Sequence, residues 1–417
     1  MIIVLILGCC LLIGMASYVR LLSSHKILVN RSQDWNAAIS LAEAGIEEAL
    51  AQANSPTNIF FQTNSLDFSN NGWGYDAGFY GPVTRNLSGG YYSVVMKAGV
   101  SPTIYSTGYV TVAINGGTIK RTIKATTTQL GLVNVGIGAI SNILFNGNGI
   151  ATDSFNSHST NLSTGGLYDS SKTSTNGSVA SKAGLVDLGN HTIQGSLFLG
   201  PQASFATNGT VTGSVNYDAN VDFPDVALPA DAKNWIIAPL TTVVTVGKNG
   251  KSTSTSVYDF TTSGNYNLKD ASYPIIVEAG VKVNLNVTSS SFAPSSLQIH
   301  GGTTNSGTAK LYFNGPTSVS MAGNTAIDAS NRPENLWYFG LPSLTSVTYS
   351  GTSTFVGVLY APEAVLTLNG GGNNIGIVGA AIAKQITMNG HYNFHYDESL
   401  ATNSLVRGFV VNSWQEL

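Results

Sequence analysis

The residues able to take part in chemistry are few and scattered along the chain. Two of its six histidines share the stretch HYNFHYDE with Asp397 and Glu398. On a strand, His391 and His395 would lie on the same face, which makes a metal site conceivable. The simpler interpretation is a closing strand whose aromatic rings cap a β-rich body. We therefore predict no metal site here.

A second group of polar residues lies in the proline-containing stretch DANVDFPDVALPADAKNW. Asp218, Asp222 and Asp225 could offer oxygen ligands to Ca²⁺. Their spacing is not that of a known calcium loop, and such residues are typical of solvated turns. We interpret this stretch, near residues 218–235, as a break between two parts of the chain that crosses the surface.

A third group, Asp328, Arg332 and Glu334, lies in AIDASNRPENLW. The segment Trp337-Tyr338-Phe339 follows it and could stack on sugars, although residues on one strand more often belong to a core. Carboxylates are otherwise sparse, and the sequence shows no phosphate-binding loop or nucleophile elbow. We expect a chain that is not an enzyme and binds no cofactor.

Composition narrows the possible partners. Of the 417 residues only 10% are charged, whereas 43% are hydrophobic and 46 are glycine. The chain can bury a core, and its polarity comes from hydroxyl and amide groups, which is typical of a β-rich extracellular surface. A net charge of −3 argues against nucleic acid as a partner. The two cysteines, Cys9 and Cys10, are adjacent, so a bridge between them is not expected.

The first 54 residues predict one long helix. Residues 1–19, MIIVLILGCCLLIGMASYV, carry no charged side chain and would span ~29 Å as a helix. They lack the basic region that precedes the apolar part of a signal peptide. An apolar stripe follows at helical spacing, and we expect it to pack against the head of the same chain. Its main members are Trp35, Ile39, Ala42, Ile46 and Leu50. Pro56 would end the helix.

The segment RSQDWNAAISLAEAGIEEALAQAN, which follows this apolar stretch, resembles the stem of type IV pilin-like proteins. It is similar to the PilX-like group and to the K-type minor pseudopilins of type II secretion. In that family a prepilin peptidase removes a short basic leader, so the resemblance implies that Met1 is the processed N-terminus, with methylation as an expectation. Family members usually carry glutamate at the fifth position, where this chain has Leu5.

The resemblance implies a structural subunit of an extracellular bacterial filament. Its precursor would lie in the inner membrane, and its partners would be other copies and the pilus assembly machinery. The β-rich body would be displayed for adhesion, with surface glycans as a further expected partner. Filament assembly is expected to involve Met1, Ile2, Ile3, Val4, Leu5, Ile6, Leu7, Leu11, Leu12, Ile13, Gly14, Tyr18 and Arg20. Alternatives are a minor or tip pilin, a type II secretion pseudopilin, and a membrane-anchored protein that binds or degrades carbohydrate.

The remaining chain predicts an α+β fold that is mostly β. GGYYSVVMKAG, PTIYSTGYVTVAIN and GTIKRTIKATTTQ alternate in polarity and predict a small antiparallel sheet, with a turn at Asn115. The short strands between Gly, Asn and Ser turns favour a β-helix-like body, with a β-sandwich as the alternative. The expected divisions are the helix 1–54, the head 55–130, solenoid-like parts 131–217 and 272–400, the linker 218–271 and the tail 401–417.

The C-terminal stretch carries a second resemblance. GPTSVSMAGNTAID, FVGVLYAPEAVLTLNGGG and GIVGAAIAKQITMNGHYNFHYDESL resemble a domain of uncharacterised function that often accompanies PilX-like stems. Within it, APEAVLTLNG and AKQITMNG are expected to form successive coils that end in Asn-Gly turns.

Overall fold

The computed structural model describes residues 1–54, 72–99, 101–112, 116–206, 208–228, 231–246, 252–294, 296–322, 326–327, 332–350, 354–403 and 406–417. Contacts divide the described chain into two compact units. The first holds the N-terminal helix, the segment up to residue 129 and residues 408–417. The second holds residues 130–407. We call them the head unit and the body unit.

Helix α1 (Ile2–Ala53) confirms the prediction of one long N-terminal helix. At 1.5 Å per residue its 52 residues extend about 78 Å. No proline interrupts it, and alanine, leucine and glutamate, which favour helix, dominate its second half. The position of Pro56 lies outside the described residues.

The head unit contains one antiparallel sheet beside α1. The predicted three-stranded meander is present, preceded by two further strands. The strands are β1 (Tyr75–Asp76), β2 (Phe79–Leu87), β3 (Gly90–Lys97), β4 (Thr103–Thr111) and β5 (Thr118–Gly131). They pair antiparallel in chain order. Asn115, expected in the turn between β4 and β5, lies outside the described residues.

Small residues let the helix and sheet backbones approach closely. A Cβ atom added to Gly108 of β4 would overlap the carbonyl oxygen of Ala38 and lie 2.8 Å from the Ala42 nitrogen. A Cβ at Gly45 of α1 would overlap the Ser106 hydroxyl and lie 2.9 Å from a ring carbon of Tyr92. Glycine at both positions therefore sets the spacing at which α1 covers β3 and β4.

The C-terminal segment corrects one predicted division. Residues 401–417 were expected to form a tail, but the strand Val406–Glu416 is the sixth strand of the head sheet, beside β5. The Leu417 amide donates to the Thr122 carbonyl at 3.0 Å. Asn54, at the end of α1, donates its side-chain amide to the Phe409 carbonyl at 3.0 Å and accepts the Phe409 amide at 2.6 Å. Because these partners are hundreds of residues apart, local sequence pattern does not reveal the pairing.

The body unit consists of short strands that are mostly paired in parallel. They are β6 (Ile137–Ala139), β7 (Ile143–Phe145), β8 (Ala151–Phe155), β9 (Val179–Asp187), β10 (Thr192–Ile193), β11 (Leu197–Phe205), β12 (Thr210–Val211), β13 (Val215–Asn216), β14 (Ile236–Ile237), β15 (Thr241–Val246), β16 (Ser252–Phe260), β17 (Gly264–Leu268), β18 (Ile275–Val277), β19 (Lys282–Val287), β20 (Ser296–Ile299), β21 (Thr308–Phe313), β22 (Ser318–Ala322), β23 (Ala326–Ile327), β24 (Leu336–Gly340), β25 (Ser346–Ser350), β26 (Phe355–Asn369), β27 (Gly371–Met388) and β28 (His391–Asp397). Helix α2 (Leu400–Asn403) and two 3-10 turns, Ala232–Asn234 and Pro333–Asn335, complete the described elements.

Parallel pairing stacks these strands as successive coils. One face runs β14-β17-β19-β21-β24-β26-β27-β6-β9-β11-β13, and each neighbouring pair is parallel. Inward side chains form a column on this face, of which Leu285, Leu311 and Tyr338 are consecutive, buried members. These parallel registers are those of stacked coils, whereas a sandwich would show antiparallel ladders.

The order of the stack differs from the order of the chain. The predicted parts 131–217 and 272–400 are not separate bodies, because β27, late in the chain, pairs with β6 and β7, early in it. The stretch 218–271 is not a linker throughout, because β14 and β17 belong to the same stack. The chain therefore enters the stack in the middle, runs to one end, crosses to the other end and returns to the middle.

Asn-Gly turns join the two parts across this junction. The side-chain amide of Asn389 donates to the Asn369 side-chain oxygen at 2.9 Å, and that of Asn146 donates to Asn389 at 3.3 Å. Asn369 belongs to APEAVLTLNG and Asn389 to AKQITMNG, the two segments that were expected to form successive coils. Their strands, β26 and β27, do pair in parallel. Asn146, in ILFNG, lies some 240 residues before Asn389 in the chain.

The crossing segment packs on the outside of the stack. Phe223 and Val226 are buried against aromatic and aliphatic side chains from several coils. Tyr360 donates its hydroxyl to the Pro224 carbonyl at 2.8 Å. A Cβ at Gly138 would lie 2.5 Å from the ring of Phe223, so glycine there makes room for the crossing. The described part of the predicted surface crossing, residues 218–228, thus packs on the stack through buried side chains.

Enlarging Gly108 tests the close helix–sheet contact. We expect Gly108→Val to destabilise the head unit by about 1–3 kcal/mol, because the added atoms force α1 away from β4. Hydrogen exchange of the amides of residues 38–53 should then become faster than in the parent protein. Gly74→Ala is the matched control, since a Cβ there meets nothing within 4 Å. Equal exchange in the two variants would contradict the assigned packing.

Candidate assembly interface

The first half of α1 is uncovered by the rest of the described chain. All residues expected to take part in assembly are exposed, Leu5 at 66% and Leu12 at 69%. An 18-residue window of this helix reaches a mean hydropathy of 2.6, and none of it is buried. Transfer from water would gain roughly 1.5–3 kcal/mol for each large apolar side chain. The helix is long and apolar enough to enter a membrane, and it fits a pilin-type stem.

The exposed apolar surface continues beyond Arg20, where the sequence analysis ended it. Leu21, Leu22, Leu28 and Val29 are between 51% and 64% exposed. Leu21 and Leu28 are seven residues apart, as are Leu22 and Val29, and this spacing places the four side chains in a stripe on one helix face. The sequence contained this signal, but His25 and Lys26 between these residues, and Arg20 and Arg31 beside them, obscured it.

The second half of α1 packs on its own sheet through a face slightly rotated from the expected one. Of the five residues expected there, Ala42 and Ile46 are buried, Ile39 and Leu50 are half-buried, and Trp35 is 45% exposed. The buried face consists of Ala38, Leu41, Ala42, Gly45, Ile46, Ala49 and Ala53. Leu41 was not part of the predicted stripe, and Gly45 was missed because a search for apolar side chains gives no weight to glycine.

Trp35 lies at the border between the two halves. The guanidinium carbon of Arg121, on β5, is 4.6 Å from the centre of its ring. Arg121 also forms an ion pair with Glu416 of the C-terminal strand. The charge of Arg121 is therefore compensated, and the flank of the helix at this point presents an aromatic surface.

Glu48 is the polar anchor of the packed half of α1. It accepts from the Arg85 guanidinium at 2.8 and 3.1 Å and from the Tyr92 hydroxyl at 2.6 Å. Burial, together with the hydrogen bond to Glu48, raises the pKa of Tyr92 to about 12. The hydrogen bond and charge of Glu48 raise the pKa of Arg85.

In the body unit, His395 belongs to a hydrogen-bonded cluster. Its Nδ1 lies 2.6 Å from Oδ1 of Asp153, and its ring stacks on Tyr168 at a centroid distance of 3.7 Å. Tyr168 donates to the other oxygen of Asp153 at 2.9 Å. Burial and the charge of Asp153 raise the pKa of Tyr168. These contacts fix the loop that follows β8 against strand β28.

The remaining residues of HYNFHYDE are divided among separate contacts. Asp397 is buried and accepts the amides of Ser157 and Ser399. Glu398 accepts from Ser154 and Asn176. Strand β28 does not close the stack as expected, because it pairs with β27 on one side and β8 on the other. Within the described ranges, no group of three or more His, Cys, Asp or Glu side chains is placed to hold a metal ion.

The other two polar groups are also dispersed. Asp222 pairs with Lys182 at 3.1 Å, and Asp218 adopts a left-handed turn conformation with φ of 58°. Glu334 lies 3.0 Å from His158 and 3.7 Å from Arg332. Asp328, the third member expected in that cluster, lies outside the described residues.

The aromatic run after Glu334 belongs to the core. Trp337, Tyr338 and Phe339 are at most 3% exposed. Tyr338 and Phe339 stack on Phe313 and Tyr312 of the neighbouring coil, and Trp337 stacks on Phe339. Their side chains cannot reach a sugar in this conformation. The alternative interpretation as core residues is confirmed.

Comparison with known proteins gives a partial match. Residues 245–403 match the model of a domain of unknown function (DUF7305). Curated proteins give no match. The crystal structure of the competence-associated pilin ComZ from Thermus thermophilus aligns over 91% of this chain and 97% of that chain. The alignment has 12% sequence identity and a TM-score of 0.32, so we base the function on the geometry of this chain.

Alkaline pH tests the anchor at Glu48. The pKa of Tyr92 is about 12 in the folded protein, whereas in the unfolded chain it is near the ordinary tyrosine value of 10.0. The contribution of Tyr92 to head stability is complete below about pH 10 and is lost as the pH rises toward 12. We expect a loss of roughly 1–3 kcal/mol in the free energy of unfolding.

Tyr92→Phe should remove this alkaline loss while weakening the head at neutral pH, because the bond to Glu48 is absent. Urea denaturation at several pH values measures both effects. Tyr91→Phe is the matched control, since Tyr91 is 37% exposed and stacks on Tyr109. An unchanged pH profile in Tyr92→Phe would contradict the role assigned to this hydroxyl.

Proposed function

We propose that this chain is a structural subunit of a bacterial, extracellular, type IV pilus-like filament. The apolar first halves of many α1 helices would pack together in the filament centre. The head and body units would lie outside this bundle, and the body would be displayed for adhesion. In this proposal the precursor lies in the inner membrane, and a prepilin peptidase and the assembly machinery act on it before export.

One observation carries the proposal: a single helix changes from fully exposed and apolar to packed on its own sheet. Ala38 and Ala42 are completely buried, whereas Leu11 and Leu12 are about two-thirds exposed. A signal peptide does not need a rigid connection to a folded unit. A filament subunit does, because the helix must hold the head at a fixed position relative to the central bundle.

Exposed small residues support packing between helices rather than anchoring alone. Gly8 and Gly14 have nothing within 4 Å of an added Cβ, so both leave the backbone accessible. Close approach of helix backbones at small residues is a general mode of association in apolar surroundings. A helix that only anchors a protein has no requirement for such positions.

Leu5 favours a second candidate function, that of a minor or tip subunit or of a secretion pseudopilin. The resemblance to pilin-like proteins implies a glutamate at this position that pairs with the N-terminal amine of a neighbour. Leucine cannot compensate a buried amine, which would be costly in an apolar bundle. A subunit at the filament tip has no neighbour on one side, so a pairing between glutamate and a neighbour's amine is not required on that side.

A replaced stem separates assembly from anchoring. Residues 2–19 exchanged for an equal run of leucines should still enter the membrane, because the hydropathy of the segment is retained. We expect the filament fraction sheared from cells to fall by roughly tenfold, since the small-residue contacts are lost. The parent chain and Gln33→Lys, a change on the exposed polar part of α1, serve as controls.

Sheared filaments that contain as much leucine-stem protein as parent protein would contradict assembly through the specific packing of this helix. Copy number distinguishes the two candidate functions. Immunogold labelling along the filament is expected for a main subunit, and a single label at one end is expected for a tip subunit.

A further inference from the structure

At one end of the body stack, no further described strand covers the interior column. In this column Ile236 of β14 lies opposite Tyr266, which in turn lies opposite Leu285. Tyr266 and Leu285 are buried, but Ile236 is 64% exposed. The adjoining Ile237 and Leu240 are 58% and 49% exposed. These three residues, which we call the apolar end, lie on β14 or directly after it, on the side where the next coil of a longer stack would pair.

The opposite end of the stack has a different character. Its column finishes at Val215, which is half-buried beside Leu197. Thr210, Thr212 and Ser214 are exposed around it, and Ser214 continues a hydrogen-bonded pair with Ser196 at 3.2 Å. Apart from Tyr217, the exposed residues here are small and polar, as in the terminal coil of a solenoid that faces water.

The apolar end also offers unpaired backbone. Among the described strands, β14 is in register with β17 and β15 with β16, and neither is in register with a second described strand. The segment 234–246, NWIIAPLTTVVTV, contains no charged residue and so lacks the lysines that commonly protect an edge. An exposed edge of this kind readily accepts another strand.

We propose that the apolar end binds the apolar end of a second copy of this chain about a two-fold axis. An uncharged apolar patch is complementary to itself, because no like charges meet. The β15 sequence TTVVTV reads nearly the same in both directions, which suits an antiparallel pair of identical strands. Stacking of one copy's apolar end on another's polar end would leave an apolar patch in contact with threonine and serine.

This pairing does not depend on the proposed filament. It closes after two copies, so by itself it produces a dimer and no fibre. If the chain does assemble into filaments, the same contact would connect the bodies of two subunits and could join neighbouring filaments.

Disulfide trapping of the full-length chain in detergent micelles tests the proposal. Cys9→Ala and Cys10→Ala remove the two native thiols. In that background Leu240→Cys should form a covalent dimer on mild oxidation, whereas Thr212→Cys at the polar end should stay monomeric. Adding Ile236→Lys to the Leu240→Cys protein should lower the dimer yield roughly tenfold, because a charge would enter the apolar contact.

Ile236 is exposed, so the lysine variant is expected to keep the circular dichroism spectrum and melting temperature of its parent. Equal trapping of Leu240→Cys and Thr212→Cys would overturn the proposal. A mixed disulfide between these two variants, formed in preference to the Leu240→Cys dimer, would overturn the two-fold arrangement. Persistence of the dimer after Ile236→Lys, at unchanged stability, would overturn the apolar contact.

Discussion

The absence of any cover over the first half of α1, within the described chain, is the constraint on which the rest of the structure depends. Nineteen residues without charge are held in a helix that stays exposed until it reaches its own sheet. Such a surface is unstable in water and requires a lipid or protein environment. The second half of the helix, in contrast, is covered by the sheet of its own head unit. Alanine and glycine bring it so close to β4 that the helix cannot turn or slide without a clash.

The body is connected to this stem by an unusual route. The chain leaves the head after β5, builds the whole stack, and returns to place its last strand beside β5. The stack permits this because it is entered and left near its middle. Gly131 lies against the carbonyl group of Ala401, and Tyr396 donates to the Val133 carbonyl at 3.2 Å. The two connecting segments therefore lie side by side in the body unit, as an insertion between two neighbouring strands requires.

Local signals predicted the parts of the fold that are local. The helix, the three-stranded meander and the Asn-Gly coils each appear in a continuous stretch of sequence. The stacking order could not be derived in this way, because the pairing of β27 with β6 depends on residues far apart in the chain. The sequence contained one sign of this stacking order, because the motifs LNG, MNG and FNG end three coils that are neighbours in the structure. The matched family domain, residues 245–403, covers only one side of this junction.

The candidate site was predictable to a similar extent. The exposed apolar half of α1 follows from composition alone, whereas the true packed face required knowledge of where the sheet approaches. Polar groups were harder to interpret from sequence. His395, Asp397 and Glu398 lie within four residues of one another, but their hydrogen-bond partners Asp153, Ser157 and Ser154 lie some 240 residues earlier in the chain, so local sequence does not reveal these contacts.

Cys9 and Cys10 allow the central claim to be measured without altering the chain, because they are the two cysteines in the sequence and both lie in the uncovered half of α1. A membrane-impermeant maleimide should label them slowly in the fraction sheared from the cell surface and rapidly after a denaturing detergent separates the copies. Rapid labelling of the intact sheared fraction, or protein found solely in the membrane fraction, would contradict a stem that leaves lipid to pack among its own copies.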